Sequence, residues 1–171
     1  FGKIFQTVID NRFTFVNNAL GRGDLYNGGF TKGSSASDNM FILMGCVQKQ
    51  LIQGKKLFVA FVDFKKAFNY VDRNLLFYKI LKSGITGKAI NVLHDMYGKT
   101  QAAIKINGLI HKWITDLYGT NQGGPISPNM FKEMLRDLRD YLDTSYGTVI
   151  SNSEILVHLL WADDLLLMSD S

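Results

Sequence analysis

Cysteine and proline are nearly absent from this 171-residue chain, which holds one Cys, at position 46, and two Pro, at positions 125 and 128. A single cysteine excludes an internal disulfide, and no Cys/His group has the spacing of a zinc site. Cys46 lies among Leu43, Met44 and Val47, the setting of a buried free thiol. No apolar run is long enough to span a bilayer; Ile155 to Ala162 is short and contains His158. No secretory leader is expected, because Phe1-Gly2-Lys3 runs into an amphipathic stretch. There is no internal repeat and no low-complexity tract. An intracellular, reducing setting is the expectation from these absences. A large excess of one charge sign is also lacking. Nineteen Lys+Arg stand against fifteen Asp+Glu, a net +4 that permits contact with a polyanion without arguing for it.

What is present is an ordinary globular composition, 46% hydrophobic and 20% charged, which excludes disorder as the dominant state. The length suffices for one compact domain with a core. Because the chain opens on Phe1 and stops at Ser171, a piece of a longer reading frame is expected.

Periodicity predicts a helix over residues 1–20, carried by Ile4, Phe5, Val8, Ile9, Phe13 and Val16. Glycines punctuate a loop over 21–35. Ser35 or Ser37 is placed to cap a helix that runs to about Gln53 and ends at Gly54. Leu57 to Phe64 reads as a buried strand. Helices are predicted over 73–83 and 87–97. Ala102 to Ile106 and Ile110 to Ile114 flank Asn107-Gly108, a hairpin turn signal. A Gly/Pro loop over 119–128 leads into a helix over 129–142. Two short apolar strands, Leu156 to Trp161 and Leu165 to Met168, flank Ala162-Asp163-Asp164. Helices first and a mixed body after them predict an α+β fold.

Asp63 ends one apolar strand, and Asp163 and Asp164 lie between two others. Charges in such places are costly unless paired or metal-bound. If the strands neighbour each other, three carboxylates converge on one edge, a hard-oxygen set suited to Mg²⁺ and substrate phosphates. Taken singly, each signal has a plainer explanation. An Asp after a strand is a cap or turn residue, and an Asp-Asp pair suits a tight turn.

The loop between them reads Gly119-Thr120-Asn121-Gln122-Gly123-Gly124-Pro125-Ile126-Ser127-Pro128. It resembles the Gln-Gly-x-Pro-Leu-Ser-Pro segment of retroelement reverse transcriptases. Asp63-Phe64-Lys65-Lys66-Ala67-Phe68-Asn69 resembles their Asp-Phe-x-Lys-Ala-Phe-Asp segment, and Trp161-Ala162-Asp163-Asp164 their aromatic-Ala-Asp-Asp hairpin. Gly29-Phe30-Thr31-Lys32-Gly33-Ser34-Ser35-Ala36-Ser37-Asp38-Asn39 is similar to a stretch of the non-LTR, LINE-type fingers. Four motifs in the family's order cover most of the chain.

The resemblance implies the fingers and palm of a right-hand polymerase without a thumb. Fingers would occupy 1–56 and palm 57–171, with a return into the fingers at about 98–120. It implies RNA-directed DNA polymerase activity by two-metal transfer to a primer 3′-hydroxyl, with two Mg²⁺ ions, or Mn²⁺ in their place. RNA template, DNA primer and dNTPs would be the partners, and nucleus and cytoplasm the compartments. Asp63, Asp163 and Asp164 would be the catalytic, metal-binding triad, with the Phe64 backbone completing one metal shell. Phe64, Ala67, Phe68, Gln122, Gly123 and Lys32 would contact the nucleotide, Phe68 as the gate under the sugar. Without the motif Phe68 reads as a core residue, and Lys3, Arg12, Lys55-Lys56 and Lys65-Lys66 as surface charge.

Several positions depart from the family's pattern. Asn69 replaces Asp, Gly124 stands where Asp or Cys is common, and Trp161 replaces Tyr or Phe. Thr31 replaces Arg, and Asn27 replaces Gln. The departures motivate a second reading, a non-catalytic relic or domesticated nucleic-acid-binding module. A structural α+β protein with no nucleic-acid role is the third.

Overall fold

The computed structural model describes residues 2–21, 26–115, 118–121, 123–151 and 154–170. It mixes helices with small antiparallel sheets, as an α+β chain does. Packing divides it into two compact units, Phe1–Phe13 with Lys66–Met134, and Thr14–Lys65 with Leu135–Ser171.

The first unit is mainly helical. It takes the start of α1 (Gly2–Ala19), then α3 (Arg73–Lys82), α4 (Lys88–Gly98) and nearly all of α5 (Ser127–Leu135). Asp72 caps α3 by accepting from the Asn74 and Leu75 amides, which satisfies two donors that the first turn leaves open. Leu76 and Ile80 of α3, Leu93 of α4, and Ile126 and Met130 around the start of α5 are almost fully buried together. Pro128 sits in the first turn of α5, where its missing N–H costs nothing. The helix predicted over 129–142 therefore starts earlier than expected. It also stops at Leu135, and a 3-10 turn follows at Leu138–Tyr141. In the second unit, Arg139 of that turn donates to the Ile155 carbonyl at 3.1 Å and lies 4.4 Å over the Tyr26 ring. A hairpin of β2 (Gln101–Ile106) and β3 (Leu109–Thr115) completes the first unit. Asn107 and Gly108 both have positive φ, as a type I′ turn requires.

The second unit holds α2 (Ala36–Ile52) against a three-stranded antiparallel sheet in the order β1 (Phe58–Asp63), β7 (Asp164–Ser169), β6 (His158–Trp161). Ser35 is the cap of α2. It accepts from the Ser37 amide at 3.1 Å, and Asp38 returns the bond by accepting from the Ser35 amide at 2.7 Å. Cys46, Leu156, Leu159 and Met168 form the core with Leu43, Val59 and Leu166. Burial raises the pKa of the Cys46 thiol, with Lys49 acting weakly in the other direction. The strand over 58–63 was expected to be buried. It is instead an edge strand, paired on one side with β7, and its Phe61 is 77% exposed. A hairpin of β4 (Thr148–Ser151) and β5 (Glu154–Leu156) has no counterpart among the predicted elements, because polar residues hide its short alternation.

Within the first unit Asp10 of α1 accepts from Asn129 of α5 at 2.7 Å. Burial raises its pKa above the ordinary value of 3.8, against the opposing effect of that hydrogen bond. The folded chain therefore binds this proton more tightly than the unfolded chain. The stabilising contribution is complete below the unfolded pKa and is lost as pH rises through the folded one. Urea midpoints measured across that interval should fall with pH for the wild type relative to Asp10→Asn. Parallel profiles for the two proteins would contradict the assignment.

Candidate active site

Strand register decides where the carboxylates stand. The β1–β7 ladder runs from Phe58 opposite Ser169 to Asp63 opposite Asp164. Residues directly opposite in an antiparallel pair hold their Cβ atoms about 4.5–5.5 Å apart. Asp63 and Asp164 are thus neighbours at the end of the ladder, and both are exposed. Among the described residues neither has an ion-pair or hydrogen-bond partner for its carboxylate, and the same holds for Asp163. Like charges directly opposite each other are destabilising to a strand pair.

The β6–β7 turn sets the third carboxylate. Trp161 pairs with Asp164, so Ala162 and Asp163 alone make the turn. Ala162 has φ 61 and Asp163 does not share the positive φ, the pattern of a type II′ turn. Glycine is the usual residue at that first position. Alanine there accepts a left-handed cost of about 1–2 kcal/mol, strain of the kind found at functional sites. Asp163 itself is half-buried. The structure thus brings Asp63 and Asp164 together and puts Asp163 in the adjoining turn. It does not gather the three into a ready-made protein cage, since no group of three His, Cys, Asp or Glu side chains fit to hold a metal occurs among the described residues. A cavity of about 330 Å³ opens beside Asp63 and Asp164, walled by Met40, Leu43, Phe61, Leu159 and Trp161.

The donor set fits a hard dication. It consists of two exposed carboxylates and a half-buried one, with no side-chain cation paired to them among the described residues. Mg²⁺ is commonly held by one or two carboxylates together with water and substrate phosphate rather than by a full protein cage.

The other expected residues are distributed between the units. Phe64 is half-buried and Lys32 exposed in the second unit. In the first, Ala67 opens a 3-10 turn, and Phe68 is half-buried with its ring stacked on Phe131 at 4.4 Å. The packing reading of Phe68 therefore describes a contact it makes. Gly123 has φ 77, and no described residue lies where a Cβ would project, so conformation is what calls for glycine there. Gln122 lies outside the described residues.

A family model described as "Reverse transcriptase (RNA-dependent DNA polymerase)" matches residues 2–171. The chain belongs to that family. The non-LTR resemblance read from the four motifs is supported by its curated relatives. The chain is 22% identical over 142 residues to the "Retrovirus-related Pol polyprotein from type-1 retrotransposable element R2" of Nasonia vitripennis, which covers 83% of this chain. Two proteins of the same description from Popillia japonica are 26% and 27% identical, over 77% and 84% of the chain. The chain spans 14%, 22% and 20% of these relatives' own lengths. No helix among the described residues is long and apolar enough to cross a membrane.

Sequence reasoning missed Arg73 in this reverse transcriptase domain. Its side chain is buried and donates to three main-chain carbonyls, of Gly119 at 2.8 Å, Tyr97 at 2.8 Å and Tyr118 at 2.9 Å. Gly119 and Thr120 in turn donate to the Val71 and Phe68 carbonyls, both at 2.8 Å. The start of the Gly/Pro loop is thereby fastened to the segment that follows Asp63-Phe64. Ser127 closes its other side by donating to the Asn121 carbonyl at 2.7 Å. Ser127 also bonds Tyr97, whose pKa burial raises despite that contact. The signal available beforehand was Val71-Asp72-Arg73 at a helix start, where a cation opposes the helix dipole and so needs a reason. Arg73→Ala leaves charged-donor bonds unmade and should cost about 3 kcal/mol in a urea unfolding experiment. A loss indistinguishable from that of an exposed Lys82→Ala control would contradict this role.

Proposed function

We propose that the chain is the fingers-and-palm core of an RNA-templated DNA polymerase, with fingers at 1–56 and palm at 57–171. Its substrates are an RNA template, a DNA primer and dNTPs, and its compartments are the nucleus and cytoplasm of a cell carrying a non-LTR element. The observation that carries the reading is the register that sets Asp63 opposite Asp164 beside the Asp163 turn, in a chain of the reverse transcriptase family.

Asp63, Asp163 and Asp164 are the residues that hold the divalent ions, two Mg²⁺ or Mn²⁺, with the Phe64 carbonyl as a further oxygen donor. When bound, such ions lower the pKa of the attacking hydroxyl and neutralise charge developing on the leaving pyrophosphate. The chain's own contribution is placement. Opposed carboxylates on paired strands are rigidly spaced, and a site held in advance stabilises a charge distribution without reorganising at the moment of reaction. Phe68, backed by Phe131, serves as the floor under the nucleotide sugar. Ala67 lies beside it in the chain, Gln122 and Gly123 contact the base pair being formed, and the exposed Lys32 meets the triphosphate.

Primer extension on an RNA template with Mg²⁺ tests the assignment. Asp163→Asn and Asp164→Asn should each abolish incorporation. Asp164→Asn should also raise stability slightly in a urea unfolding experiment, since it removes a like-charge pair. Incorporation that survives either change would refute the catalytic assignment. A fall in stability for Asp164→Asn would refute the proposed strand-end repulsion.

A further inference from the structure

The turn that carries Asp163 is gripped from behind by a segment with no assigned role. Asn27 bridges Leu160 in parallel, outside the three-stranded sheet. The Leu160 amide donates to the Tyr26 carbonyl at 2.7 Å. The Leu160 carbonyl accepts twice, from the Gly28 amide at 3.1 Å and from the Asn39 side chain at 3.0 Å. Leu160 is fully buried, and so, nearly, is Asn27, whose side-chain oxygen accepts from the Gly29 amide at 3.1 Å.

The two glycines of this segment touch the turn directly. A Cβ on Gly29 would lie 2.1 Å from the Ala162 nitrogen, 2.8 Å from the Ala162 Cα and 3.0 Å from the Trp161 carbonyl carbon. One on Gly28 would lie 3.0 Å from Cζ3 of Trp161. Neither glycine has a positive φ, so a side chain is barred by space and not by conformation. The obstacle at Gly29 is main chain, which cannot swing aside as a flexible side chain does. It is also the main chain of the strained residue next to Asp163.

We propose that Gly29 is a positioning residue for the acidic turn, acting through the Ala162 backbone, and that Asn39 is a second one, acting through the Leu160 carbonyl. On this reading the Asn27-Gly28-Gly29 segment is a seat that sets the height of Asp163 and Asp164 relative to Asp63 and holds Ala162 in its left-handed conformation. A side chain at Gly29 lifts the turn while leaving the β1–β7 ladder paired. The inference rests on the polymerase reading for its catalytic consequence, but its geometric content stands apart from it.

The test compares Gly29→Ala, Asn39→Ala and Gly45→Ala in the full chain on a Trp113→Phe background, where Trp161 is the remaining tryptophan. Gly45 lies in α2 with open space around the position of its Cβ and serves as the control. Three readouts are taken: Trp161 emission without metal, Mn²⁺ affinity by electron paramagnetic resonance, and primer-extension kinetics. Gly29→Ala should shift Trp161 emission and weaken Mn²⁺ binding. It should lower kcat by about a hundredfold, the scale of a misplacement near 1 Å, with the dNTP KM nearly unchanged. Asn39→Ala adds no volume. It should show the same pattern more weakly, which covers the case in which Gly29→Ala does not fold. Gly45→Ala should match the wild type throughout. Trp161 emission and Mn²⁺ affinity in both test variants equal to those of Gly45→Ala would overturn the seat. A wild-type chain that incorporates no nucleotide counts against the polymerase reading alone, and the emission and Mn²⁺ comparisons then decide the seat.

Discussion

Two carboxylates held directly opposite each other on paired strands repel, and a protein keeps such a pair only if the rest of the ladder holds the strands in place. Asp63 and Asp164 are in this position, at the end of a β1–β7 ladder whose other rungs are almost entirely apolar: Val59 with Met168, Ala60 with Leu167, Phe61 with Leu166 and Val62 with Leu165. The side-chain period of a strand is two, so a one-residue slip would turn one of the two carboxylates to the other face. The apolar rungs thus do more than bury surface. They fix the register that makes the carboxylates neighbours, the arrangement that the proposed divalent cation would share.

Each unit has a main-chain fastening of its own. In the second, the close approach of Gly29 to Ala162 and the doubly accepted Leu160 carbonyl hold a left-handed alanine beside Asp163. In the first, Arg73 gathers three carbonyls and fixes the start of the loop that leads to Gly123. Both devices act on main chain and not on side chains, as suits segments whose function lies in where the backbone runs.

Much of this was legible in the sequence, and the reasons differ by element. The Ser35 cap, the Asn107-Gly108 turn and the helix ends at Gln53 and Lys82 follow from local rules, because the signal and its partner lie within a few residues. The acidic strand ends were legible because an Asp closing an apolar run demands an explanation. The edge exposure of β1 was hidden, since an apolar run reads alike whether one side or both are covered. The early stop of α5 and the β4–β5 hairpin depend on contacts made far along the chain, such as Arg139 with Ile155, that no local window contains. The close approach of Gly29 to Ala162 was invisible for the same reason. A glycine in a glycine-rich loop reads as a turn, and only the fold shows that it lies against Ala162.

Asp63 and Asp164 are proposed to form one cation site at the end of the β1–β7 ladder. Paramagnetic broadening of backbone amide resonances during a substoichiometric Mn²⁺ titration tests it most directly. The amides of Asp63, Asp163 and Asp164 should broaden first and together, while those around the exposed Asp143 stay sharp. Broadening centred on Asp143 or Asp140, or spread evenly over the acidic residues, would contradict it.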